Sequence, residues 1–126
     1  MAMRCPTAKV VGIGKLKNTR LIFWRVATII KEEGAETPVA VWVITSQDER
    51  ALDRYEGYPH LYRKEDATVH MADGKELTAM VYIMNEGRPQ MPNKGYYAAI
   101  EKGYADVGLD PSYLYEAVRE TQNRMK

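Results

Sequence analysis

Glu56 has the clearest opportunity for chemistry in this sequence, and its neighbours explain why. Ser46 and Glu49 form a capping-box pattern that opens a short helix. Ala51, Leu52 and Tyr55 give that helix an apolar side, and Gly57 is placed as its C′ stop. A carboxylate at the last helical position faces the negative end of the helix dipole. Burial there would raise its pKa, because desolvation disfavours the charged form. A carboxyl group tuned upward suits proton transfer near neutral pH. From position alone, a solvated glutamate at a helix end is the plainer reading.

Tyrosine is the second signal, with nine in the chain against one phenylalanine. Each combines an apolar body with a polar tip, which fits the wall of a small polar pocket. Core and helix packing accounts for most of them. His60 and His70 have no second ligand at metal-binding spacing, so no metal site is expected. Cys5 has no activating neighbour and reads as inert. Gly12-Ile13-Gly14 is too short and misplaced for a dinucleotide fingerprint.

The elements that must position these groups follow from patterning. Lys9 to Gly12 and Arg20 to Trp24 read as short strands separated by Gly14 to Asn18. Val26 to Ile30 is a β-branched run, and Lys31 to Gly34 reads as a turn. Val39 to Ile44 is apolar on both alternating sets, as expected of a central strand covered on two faces. Tyr62 to Met71 and Leu77 to Met84 read as a hairpin around Asp73-Gly74. Two helices close the chain. The first carries Tyr97, Ile100, Tyr104 and Val107 at helical spacing; the second starts at an Asp110 N-cap and buries Leu114, Ala117, Val118 and Thr121. Strands first and helices last argue for an α+β fold.

The 126 residues suit one domain, 1–126. The net charge is +1 with both signs interspersed, so no nucleic-acid footprint is visible. The longest apolar run is far too short to span a bilayer, and the start has no secretory h-region. A single cysteine allows no internal disulfide and fits a cytoplasmic setting.

Several blocks together resemble the γ-glutamylcyclotransferase-like (AIG2-like) family. They are Ala51-Leu52-Asp53-Arg54-Tyr55-Glu56-Gly57-Tyr58, Tyr62-Arg63 and Ala79-Met80-Val81-Tyr82, with Arg4-Cys5-Pro6 and Ala27-Thr28-Ile29 upstream. Pro92, Tyr96, Ile100, Gly103 and Gly108-Leu109 follow downstream. The resemblance implies a small mixed β-barrel with flanking helices and no cofactor. It implies an enzyme, of transferase or lyase type, that cyclises a γ-glutamyl group to 5-oxoproline and releases an amine. Glu56 would be the general acid/base, and Tyr62, Tyr82 and Tyr96 would line the substrate pocket. The family's first strand and Tyr-Gly-Ser-Asn type loop have no counterpart here, which leaves a non-catalytic ligand-binding or protein-binding role as the alternative. It also implies low activity from these residues alone, and self-association, most simply a homodimer, to cover the gap.

Overall fold

The computed structural model describes residues 8–126. Cys5 and the Arg4-Cys5-Pro6 block lie outside them. The architecture is α+β. Strands β1 (Lys9–Trp24), β2 (Val26–Val43), β3 (Tyr62–Met71) and β4 (Glu76–Met84) are joined by helix α1 (Ser46–Glu56) and followed by α2 (Lys94–Val107) and α3 (Ser112–Arg124). The strands form one antiparallel sheet in the order β2-β1-β3-β4.

Two expectations about β1 and β2 are corrected. The separate short strands are one long hairpin in which Arg25, at φ 68°, occupies the corner between Trp24 and Val26. The residues expected to form a turn instead make an irregularity within it. Between the pairs Lys17↔Glu36 and Thr19↔Lys31, β1 has only Asn18 while β2 has Glu32 to Ala35. Asn18 and Gly34 both take left-handed backbone there, and the Gly34 N–H donates to Asn18 Oδ1 at 3.1 Å. The turn signal was real, but cross-strand pairing on both sides absorbed it as a bulge.

The sheet is open rather than closed into a barrel. β1 meets β3 only at Gly14↔Met71 and Lys15↔His70, so the two hairpins splay from a short seam. Gly14 permits that seam: a Cβ there would lie 2.7 Å from the His70 carbonyl oxygen and 2.8 Å from Val69 Cγ1. β2 is consequently an edge strand, which corrects the central position expected for Val39 to Ile44. Val43 is 62% exposed and Ile44 lies beyond the strand. Buried Pro38 suits this edge, because it has no N–H to contribute to a ladder. The β3–β4 hairpin forms as expected, with pairing from Tyr62↔Met84 to His70↔Glu76.

The main buried cluster lies where α3 crosses β1. Phe23, Leu114 and Ala117 are its centre, with Leu21, Ala27, Tyr96, Tyr97, Ile100, Tyr104 and Val118 packed against them. The apolar faces of both closing helices are the ones their spacing predicted, except that on α2 Tyr96 joins this cluster and Val107 does not. α3 begins one residue later than expected: Pro111 is its N-cap, and Asp110 Oδ1 accepts from the Ser112 N–H at 2.9 Å.

Candidate active site

Helix α1 sets the position of Glu56. The capping box is Thr45 with Asp48, one residue from the expected Ser46–Glu49 pair. The Asp48 N–H donates to Thr45 Oγ1 and the Thr45 N–H donates to the Asp48 carboxylate, each at 3.1 Å. The reason for the shift is that Thr45, not Ser46, takes the extended N-cap backbone. At the other end Gly57 adopts φ 67°, with its N–H on Arg54 O and the Tyr58 N–H on Asp53 O at 2.9 Å. This is a Schellman closure, and it makes half-buried Glu56 the final helical residue. The loop after it is tied to the end of β4, since Asn85 Nδ2 donates to the carbonyls of Pro59 and His60 at 2.7 and 2.9 Å.

Docking of α1 onto the β3–β4 hairpin relies on charge as well as on buried Leu52. Lys64 Nζ of β3 donates to Glu49 Oε2 at 2.7 Å and to Asp53 Oδ2 at 3.1 Å. The same ammonium lies 4.3 Å from the Tyr58 ring centroid, within cation–π range. The Tyr82 hydroxyl of β4 donates to Asp53 Oδ1 at 2.6 Å. Glu49 and Asp53 are four residues apart and share a helix face. Lys64 and Tyr82 are directly paired across the strands, so one cation and one hydroxyl meet that face together.

Tyr62, Tyr82 and Tyr96 come from three different elements: the start of β3, the end of β4 and the first turn of α2. Burial pushes the Tyr62 phenol up to about 12, with the Glu56 charge the next contributor. Tyr82 is raised by burial first, then by its bond to Asp53, with Glu49 and Glu56 adding to it. Tyr96 is raised by burial, opposed by a bond from a backbone amide and assisted by Glu56. That bond runs from the Ala27 N–H to Tyr96 Oη at 2.9 Å. The Glu56 charge is a lesser contributor, after burial, to the upward shift of each of these three phenols.

The contacts that Glu49, Asp53 and Lys64 make beside Tyr82 were not anticipated from the sequence. Their signal was present in the period-2 spacing of Tyr62 and Lys64 on β3 and the helical spacing of Glu49, Asp53 and Glu56 on α1. What sequence did not supply was the face of β3 against which α1 docks. Of the two histidines, His60 is exposed and His70 lies 3.5 Å from Glu76. Among the described residues no group of three or more His, Cys, Asp or Glu side chains is placed to hold a metal.

The structure is thus an α+β fold in which a glutamate closes the first helix and Lys64 and Tyr82 hold that helix on the β3–β4 hairpin through Asp53. A family model described as gamma-glutamyl cyclotransferase, AIG2-like, matches residues 2–104, and the chain belongs to that family. Gamma-glutamylcyclotransferases of Bos taurus and Homo sapiens are each 27% identical over 124 residues, covering 88% of this chain. The chain spans 66% of the length of those relatives. A solved gamma-glutamyl cyclotransferase superposes with a TM-score of 0.81 at 24% identity, covering 92% of this chain and 76% of its own. An uncharacterized Homo sapiens protein matches with the same score and coverage at 25% identity. A Pyrococcus horikoshii protein shares the fold more loosely, with a TM-score of 0.57 at 16% identity.

Proposed function

We propose that this chain carries a γ-glutamyl cyclotransferase site, with a small γ-glutamyl compound as substrate and Glu56 as general acid/base. The observation that supports the reading is the place of Glu56 as the half-buried last residue of α1, with its negative charge among the influences that raise the Tyr62, Tyr82 and Tyr96 phenols. Family membership supports the same reaction class.

The chemistry is an intramolecular acyl transfer. The substrate's α-amine attacks its own γ-carbonyl carbon, a ring C–N bond forms, and the original amide C–N bond breaks. Glu56 accepts the proton lost by the attacking amine and returns one to the departing amine, so the carboxylate is regenerated. Nucleophile and electrophile belong to one molecule, and holding its extended chain in a ring-closing conformation supplies much of the acceleration. The tyrosines would do that holding. These steps require no metal or organic cofactor.

Release of 5-oxoproline from γ-glutamyl peptides and amines tests the reading. Glu56→Gln removes the proton shuttle at nearly constant volume. In a full-length form that turns over γ-glutamyl substrates it is expected to lower turnover by about 10²- to 10⁴-fold while leaving the melting temperature unchanged. Normal activity in that variant refutes the assignment. Binding of γ-glutamyl ligands by the wild type without turnover would replace it with the non-catalytic ligand-binding reading. Neither binding nor turnover would remove both.

A further inference from the structure

Tyr82 and Tyr96 differ in a way that their shared residue type conceals. The Tyr82 hydroxyl gives its proton to Asp53 Oδ1 over 2.6 Å, a short charge-assisted bond. The Tyr96 hydroxyl is held the other way, accepting the Ala27 N–H at 2.9 Å. A phenol has one proton and two lone pairs. Tyr82, with its proton committed, presents lone pairs to anything else in the pocket. Tyr96, with a lone pair committed, retains its proton for donation.

We infer that Asp53 is a positioning residue that makes Tyr82 an obligate hydrogen-bond acceptor, so that Tyr82 takes a substrate N–H while Tyr96 donates to a carboxylate or carbonyl oxygen. This rests on the cyclotransferase reading for its ligand and deepens it. A γ-glutamyl group has an ammonium and a carboxylate on one α-carbon, and a pocket with a fixed acceptor and a fixed donor admits that pair in one orientation. Asp53 is itself held by Lys64, at 3.0 Å, which Glu49 anchors from the preceding helical turn. The carboxylate is therefore fixed before any ligand arrives, and the Tyr82 hydroxyl with it.

Two measurements test this. The first is proton NMR of the phenolic hydroxyls and needs no activity. The wild type should show one downfield, exchange-protected hydroxyl proton that disappears in Tyr82→Phe and in Asp53→Ala. Its absence from the wild type, or its survival in Asp53→Ala, overturns the inference. The second is kinetic, with γ-glutamyl-alanine as the probe. Asp53→Ala and Tyr82→Phe should each raise KM roughly tenfold with a smaller effect on kcat, the scale of one hydrogen bond to a charged group. The double variant should lose no more than either single one. Asp53→Asn keeps an acceptor oxygen in place and should restore much of the loss, which separates positioning from mere support of α1. Additive losses, or no rescue by asparagine in a folded variant, overturn the inference. If the wild type neither binds nor turns over the probe, the functional reading fails, and the NMR result alone decides the role of Asp53.

Discussion

The backbone N–H of Phe23 donates to the Thr121 hydroxyl at 3.0 Å, joining β1 to α3 across 98 positions of sequence. The same hydroxyl donates to the Ala117 carbonyl at 2.7 Å, so both of its capacities are used inside the core. Thr121 is fully buried, and so is Phe23. Beyond Phe23 the chain turns at Arg25 and reaches Ala27, whose amide holds Tyr96. The candidate site and the core thus share a few residues of backbone.

Thr121→Val keeps the shape and removes the hydroxyl. It leaves a buried amide unpaired and should cost about 1–3 kcal/mol of stability. Thr121→Ser keeps the hydroxyl and should cost less. Urea denaturation of the two variants checks the order, and equal losses would show that packing rather than the hydrogen bond matters here.

Gly57 has two reasons to be glycine. Its backbone is left-handed, and a Cβ would lie 2.9 Å from Leu61 Cδ1. Gly57→Ala should lose about 1–2 kcal/mol from the backbone conformation, with an added steric contribution. Asparagine tolerates this conformation better than alanine but meets the same Leu61 contact, so Gly57→Asn should be the milder of the two by thermal melting. Because the residue adjoins Glu56, both variants should also reduce any turnover more than they reduce stability.

Acid should weaken the docking of α1. The hydrogen bond from Tyr82, followed by that from Lys64, holds the Asp53 carboxyl below its ordinary value of 3.8. A folded pKa below the unfolded one means that the unfolded chain binds the proton more readily. The stabilisation is therefore complete at neutral pH and is lost as pH falls below about 4 through the folded value. Glu36 behaves likewise, lowered from 4.5 by hydrogen bonds from Lys15 and Tyr113. Denaturant midpoints should be flat from pH 7 to about 5 and decline below that. Asp53→Asn should flatten part of the decline and leave the Glu36 share. An unchanged acid slope in Asp53→Asn would contradict the role given to this carboxylate.

Self-association is expected from the sheet. Among the described residues β2 and β4 each pair on one side only, and both line an apolar hollow of about 530 Å³ with Leu16, Leu52 and Val69. Val10, Val11 and Val43 are exposed at 47%, 51% and 62%. Unpaired edges beside apolar surface favour strand pairing with another chain. Sedimentation or light scattering at micromolar concentration should show a dimer, and a monomer there would count against it.

The sequence by itself determined the local devices of this protein. The Asp73-Gly74 hairpin, the Gly57 helix stop and the apolar faces of α2 and α3 depend on residue types at short spacing, and they formed where the spacing placed them. The candidate set of Glu56 with Tyr62, Tyr82 and Tyr96 came only from family resemblance, because no periodicity connects those positions. Tertiary structure decided the rest. Val39 to Ile44 reads as a buried central strand, yet its place at an edge depends on which neighbours pair with it, and strand order leaves no mark in a strand's own residues. Donor and acceptor roles for Tyr82 and Tyr96 are set by Asp53 and the Ala27 amide, which lie 29 and 69 positions away. A hydroxyl's polarity is fixed by the partner it meets in space, and that partner is selected by the docking of whole elements rather than by sequence neighbours.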